Sequence, residues 1–266
     1  MGHGKLRKFA ENETFACLVQ PSSEEVILTK EGGLVLKDHP LKGHWNETMF
    51  DAPRPIVLEL GCGRGEYTID LSRRDPSCNY IGVDIKGARL WKGAKYATEN
   101  ALGNVAFLRT RIEFIESFFA PGEISKIWLT FSDPQMGSEN NRLTCPMFLE
   151  RYRRFLAPGG VVNLKTDSNF LYRYTRAVAE ANGLRIFCDT DDLYGDGTRF
   201  DETSLYEVQT YYEKMFLQMG LPIKFLSFSI DKEGPYVAPD FDAAMWKALE
   251  GPRRTFNHNP VKNTVQ

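Results

Sequence analysis

The sequence predicts an α/β protein with a mostly parallel, seven-stranded sheet and helices on both faces. Three observations carry this. Apolar runs of strand length alternate with amphipathic runs of helix length through most of the 266 residues. The first run, Ile56-Val57-Leu58-Glu59-Leu60, breaks into Gly61-Cys62-Gly63-Arg64-Gly65. The second, Tyr80-Ile81-Gly82-Val83, ends on Asp84, nineteen residues after Gly65. Alternating strands and helices imply right-handed crossovers, and ligands of such sheets sit beyond the carboxyl ends of the strands. Gly61, Asp84, Asp133 and Asp167 are therefore expected on one rim.

Strands are expected over 56–60, 79–84, 104–108, 126–131, 160–165, 184–189 and 223–230. Helices are expected over 65–73, 87–101, 112–118, 146–156 and 168–182. Pro158-Gly159-Gly160 ends one helix and opens the next strand. Residues 1–50 read as an N-terminal extension without a clear period, in which Trp45 suits a packing anchor. Residues 51–232 read as the main domain, interrupted over about 190–222 by an acidic excursion (Asp189, Asp191, Asp192, Asp196, Asp201, Glu202) that leads to a helix over Thr203–Met219. The last strand has no long crossover helix before it, so antiparallel pairing stays open. Residues 233–266 read as a peripheral tail with one amphipathic piece near Phe241–Leu249.

Composition sets limits. Hydrophobic residues are 42% and charged residues 26%, ordinary for a globular chain. A net charge of −2 gives no global pull toward nucleic acid, so such binding needs a local patch. The five cysteines are scattered, with neither zinc nor redox spacing, and no metal-ligand cluster is visible. No apolar run has signal-peptide or membrane-span length. A cytoplasmic location is expected.

The glycine turn narrows the ligand. Glycine tolerates φ > 0 and lets a ligand approach the backbone. An acid at the end of the next strand can accept hydrogen bonds from both hydroxyls of a ribose. The pattern is G-x-G-x-G rather than the dinucleotide G-x-G-x-x-G, and Glu59 and Glu66 flank it. A pyrophosphate would be disfavoured there. S-adenosylmethionine, with its adenosine, sulfonium and ammonium, would not be.

Over about residues 40 to 230 the chain resembles the bacterial single-chain tRNA (guanine-N7-)-methyltransferase family. The resemblance rests on Leu58 through Gly65, Gly82-Val83-Asp84-Ile85-Lys86, Phe131-Ser132-Asp133-Pro134, Leu156-Ala157-Pro158-Gly159-Gly160, Lys165-Thr166-Asp167 and Thr210-Tyr211-Tyr212-Glu213. It implies a Rossmann-like class I S-adenosylmethionine-dependent methyltransferase fold and methyl transfer to N7 of a guanine in the variable loop of tRNA. Glu59, Gly61, Gly63 and Asp84 resemble the cofactor-binding residues, and Arg111 stands where the adenine is held. Asp133 resembles the catalytic acid. Asp167, Thr210, Tyr212 and Glu213 resemble substrate-contacting positions. The expected partner is tRNA, with no obligatory protein partner and a monomer or homodimer. Asp133-Pro134 also suits a turn, Asp167 a helix cap, and Tyr212 and Glu213 an amphipathic helix face.

Two departures stand out. The loop Gln135–Arg142 holds one basic residue, Arg142, where the family is crowded with them. Arg111 replaces an acid or amide. Arg151, Arg153 and Arg154, or Arg109 and Arg111, are the candidate replacements for lost phosphate contacts. A methyltransferase of another substrate, or a non-catalytic tRNA-binding protein, are the alternative readings.

Overall fold

The computed structural model describes residues 3–30, 33–195, 197, 199–200 and 204–250; Asp196, Asp201, Glu202, Thr203 and the tail over 251–266 lie outside the described residues. The chain begins with α1 (His3–Asn12), β1 (Leu18–Val19), α2 (Ser23–Val26), the hairpin β2 (Ile27–Lys30) and β3 (Gly33–Leu36), and α3 (Trp45–Thr48). Then follow β4 (Ile56–Leu60), α4 (Glu66–Arg74), β5 (Asn79–Asp84), α5 (Gly87–Glu99), β6 (Val105–Arg109) and β7 (Ile124–Thr130). The second half comprises α6 (Pro146–Arg153), β8 (Leu156–Thr166), α7 (Asn169–Ala181), β9 (Ile186–Thr190), α8 (Ser204–Glu207), α9 (Tyr211–Gln218), β10 (Lys224–Ser229) and α10 (Ala243–Glu250).

All seven expected strands form. They are joined at one edge by two-residue β1, in the order β1-β6-β5-β4-β7-β8-β10-β9. Pairing is parallel from β1 to β8, and β10 runs antiparallel to both β8 and β9. Every residue of β4 is buried, as a strand covered on both faces requires. Alternate residues feed different clusters: Leu58 and Leu60 join the largest, and Val57 joins a second with Tyr67, Trp128 and Phe225. The strand order reverses between β4 and β7, the position where open α/β sheets hold ligands.

Five elements differ from expectation. Pro158-Gly159-Gly160, expected to end a helix and open the next strand, lies inside β8, which begins at Leu156, and α6 already ends at Arg153. The 112–118 segment is a 3-10 turn, Ile112–Ser117. The helix expected to Met219 is broken into α8 and α9, because Thr210 caps a new start by accepting from the Glu213 amide at 3.0 Å. The N-terminal extension adds β1 beside β6, lays α1 on α5, and buries Trp45 completely, its indole donating to the Phe118 carbonyl at 2.8 Å. The tail packs onto α7 as far as Glu250. Phe241 meets Phe170 and Tyr174 edge-on, and Glu250 accepts from the Phe170 amide at 2.8 Å.

Gly65 shows how tightly the glycine turn is packed. It sits at φ 71°, and a Cβ there would lie 2.5 Å from the Phe107 ring. Gly65→Ala combines a left-handed penalty of about 1–2 kcal/mol with overpacking of about 1–3 kcal/mol. Urea denaturation is expected to show a loss of roughly 2–5 kcal/mol.

Candidate active site

Two adjoining cavities open at the carboxyl ends of the parallel strands. The smaller, about 450 Å³, is lined by Glu59, Gly61, Gly63, Thr130, Thr210 and Tyr212 among others. The larger, about 1190 Å³, is lined by Gly61, Asp84, Asp133 and Asp167, with an apolar wall that includes Ile112, Phe131, Phe216 and Met219. Gly61, Arg89, Phe131 and Tyr212 border both. The rim expected from topology therefore exists, with its three acids around one space.

The glycine turn is fixed before any ligand arrives. The Gly61 and Cys62 amides donate to the Val83 carbonyl at 2.8 and 2.9 Å. The Asp84 carboxylate accepts from the Gly63 amide at 3.0 Å and from the Lys86 amide at 2.7 Å. Gly61 and Gly63 lie at φ 78° and 59°, and a Cβ on either would meet no atom within 4 Å. They form a bare backbone shelf facing the cavities. That shelf, with Glu59 below it and Asp84 beside it, fits S-adenosylmethionine.

Glu59 is buried in the middle of β4. It accepts from the Thr68 amide at 2.9 Å, from the Thr68 hydroxyl, and from the Thr130 hydroxyl at 2.5 Å. Burial pushes its carboxyl above the usual range, while the bonds from Thr130 and Thr68 pull it back.

Asp133 projects from the turn after β7. Its carboxylate accepts from the Gln135 amide at 2.9 Å, so the turn geometry and the exposed acid coexist. Phe131 and Gln135 flank it at φ 51° and 46°, a left-handed conformation uncommon for such residues. The Phe131 amide donates to the Lys165 carbonyl at 2.8 Å and holds the bend. The cap of α7 is Ser168, which accepts from the Leu171 amide at 3.0 Å; Asp167 lines the larger cavity.

Two candidate residues are placed elsewhere. Arg111 lines neither cavity: its guanidinium pairs with Glu113 at 3.1 Å and lies over the Phe114 ring. Glu213 is fully buried, its carboxylate 2.7 Å from Lys165 Nζ. It braces α9 against β8 and lines neither cavity. Lys165 also donates to the Leu205 and Val208 carbonyls at 2.7 and 3.2 Å. Burial pushes its ammonium below the usual range, and Glu213 pulls it back up.

Several lining residues were missed. Lys224 reaches the larger cavity because β10 is antiparallel, so its first residue joins the rim opposite Thr166. Its ammonium donates to the Asp167 and Pro222 carbonyls at 3.0 and 2.9 Å. The helical spacing of Tyr212 and Phe216 on α9 and of Met219, which caps it, could have revealed a shared face.

A Rossmann-like sheet with a glycine shelf, an acid at the end of the next strand and an acid-lined space alongside defines an S-adenosylmethionine-dependent methyltransferase. Residues 53–226 match the family described as "Putative methyltransferase". A tRNA (guanine-N(7)-)-methyltransferase of Bacteroides thetaiotaomicron is 44% identical over 97% of this chain and 96% of its own. One of Porphyromonas gingivalis is 50% identical over 76% and 83%. The crystal structure of a 16S rRNA methyltransferase superposes with a TM-score of 0.52 at 14% identity, covering 80% of this chain and 100% of its own; at that identity the likeness is one of fold. The chain belongs to the tRNA (guanine-N7-)-methyltransferase family.

The buried pair yields a stability test. Lys165→Met strands the Glu213 carboxylate in the core, at an expected cost of about 3–5 kcal/mol by chemical denaturation. Adding Glu213→Leu removes the orphaned charge and is expected to restore most of that loss.

Proposed function

We propose that this chain moves the methyl group of S-adenosylmethionine onto N7 of a guanine in the variable loop of tRNA, in the cytoplasm, with Asp133 aligning the base. The observation that carries the site assignment is that Gly61, Asp84, Asp133 and Asp167 share one cavity. Relatives that carry this activity in their names, at 44–50% identity, support the substrate. Among the described residues no helix is long and apolar enough to cross a membrane.

Glu59 would take the ammonium of the cofactor, the Gly61 and Gly63 backbone would lie against it, and Asp84 would accept from its ribose hydroxyls. Thr210 and Tyr212 would close the smaller cavity over the amino-acid end. Bound there, S-adenosylmethionine supplies an electrophilic methyl on a sulfonium.

Guanine N7 carries an in-plane lone pair on the major-groove edge, so no proton has to leave before attack. The work left to the protein is alignment and electrostatic support. Asp133 can accept from a guanine N–H and stands near the positive charge that develops on the base. Asp167 adds a second acid in the same space. A base turned out of its stack would find apolar cover on Phe131, Phe216 and Met219.

The direct test is transfer of labelled methyl to unmodified tRNA, followed by digestion. Label in 7-methylguanine is the expected result; a cofactor-binding enzyme that labels no tRNA would overturn the substrate. Asp133→Ala is expected to lower kcat by about 10²–10³ with cofactor binding retained, and unchanged turnover would remove Asp133 from its role.

Glu59 gives a pH signature. Its raised carboxyl takes up a proton above the ordinary glutamate value of about 4.3, which removes the anion that meets the ammonium. Cofactor affinity is therefore expected to fall on acidification before an ordinary carboxylate would titrate. Glu59→Gln should bind weakly and lose that pH dependence, read by calorimetry across the acid range.

A further inference from the structure

The loop after Asp133 offers no free cation to RNA. Its one basic residue, Arg142, is folded inward, donating to the Pro134 carbonyl at 3.2 Å and lying over the Phe170 and Tyr174 rings. The arginines expected to compensate are also engaged. Arg151 donates to the Glu113 carbonyl at 2.5 Å, Arg153 to the Lys232 and Gly234 carbonyls at 2.9 and 2.6 Å, and Arg154 pairs with Glu116 at 2.6 Å. Arg109 lies over the Phe9 ring, and Arg111 pairs with Glu113. The charge that meets the RNA must come from elsewhere.

It is found at the mouth of the smaller cavity. Lys8, Arg64, Arg89 and Lys92 all line it. Lys92 is neutralised by Glu66 at 2.6 Å. Among the described residues Lys8, Arg64 and Arg89 make no ion pair; Arg64 and Arg89 are exposed, and Lys8 lies over the Trp91 ring at 4.5 Å. They come from three elements: α1, the glycine turn and α5. Trp91 and Tyr211 stand among them. Free cations interleaved with aromatic rings suit a sugar–phosphate chain with unstacked bases. Arg89 borders both cavities, so the row leads to the space that holds Asp133.

We propose that Lys8, Arg64 and Arg89 seat the sugar–phosphate backbone of the RNA beside the target guanine, a role that rests on the reading of this chain as a tRNA methyltransferase. α1 carries Lys8 to the cavity, and the chain replaces a basic loop on one side of the site with a basic rim on the other. The net charge of −2 is no obstacle, because the cations are gathered where the backbone passes.

The test is tRNA binding by the full chain over a series of KCl concentrations. Each phosphate contact contributes a log–log slope of about 0.9 on duplex and about 0.7 on single strand. Lys8→Gln/Arg64→Gln/Arg89→Gln is expected to flatten the slope by about two to three and raise KM for tRNA. Arg64→Gln and Arg89→Gln alone should each flatten it by about one step. Arg154→Gln, outside the rim, should leave it as in the wild type. A triple variant that is folded by circular dichroism and keeps the wild-type slope would overturn the proposal. That holds even if its cofactor affinity falls, a result that would assign the cations to the cofactor's carboxylate. A wild-type chain that binds no tRNA would instead overturn the function on which the proposal rests.

Discussion

The buried pair between Lys165 and Glu213 is the interaction on which the second half of the site depends. Lys165 lies near the end of β8, two residues before Asp167. Glu213 lies in the first turn of α9, three residues after Thr210. One ion pair therefore sets the distance between the strand that bears an acid of the larger cavity and the helix that closes the smaller one. Such a pair is expensive to desolvate, and its net contribution to stability is small when it is compared with apolar replacements. Its value here is geometric. With three further hydrogen bonds, to the Leu205 and Val208 carbonyls and from Tyr194 to Glu213, it admits one placement of α9.

A second network does the same for the first half. Asp84 holds the glycine turn through the Gly63 amide, and Glu66 receives both Lys92 and, at 3.4 Å, the Tyr211 amide. The start of α4 is thereby tied to the start of α9. The two halves of the sheet meet at Phe131, whose left-handed backbone presents Asp133 at the switch point. Strain of about 1–3 kcal/mol at such a residue is held by its bond to β8. The cleft is thus preorganised from both sides, which is what alignment-based catalysis requires.

Much of this was legible in the chain. The parallel strands were readable because burial on both faces makes them nearly continuous apolar runs, and the shared rim followed from topology. What escaped was side-chain direction. The family resemblance implied a substrate contact for both Tyr212 and Glu213, but a helix turns each successive residue by about 100°, which carries Glu213 inward and leaves Tyr212 on the cavity. Arg111 lines neither cavity, because Glu113 two residues on captures it. Ser168 took the cap that Asp167 could have supplied. Arg151, Arg153 and Arg154 were candidates for phosphate contacts, and only the fold shows that Glu113, Glu116, Lys232 and Gly234, all distant in sequence, engage them. β1, at two residues, is too short for any periodicity to reveal.

The register of β10 has a wider consequence. Lys224 sits directly across from Thr166, so the segment between them, which holds α7, the edge strand β9, α8 and α9, begins and ends at one point on the rim. An excursion closed at its base can be lengthened, shortened or rebuilt with little loop-closure cost and without moving β4, β5 or the glycine turn. That segment meets the glycine-turn half where Glu66 receives the Tyr211 amide and where Thr210 and Tyr212 line the smaller cavity, so its start and the turn at Thr210 are held while the stretches between them are not. A lineage could vary those stretches of one closed segment while β4, β5 and the glycine turn stayed still.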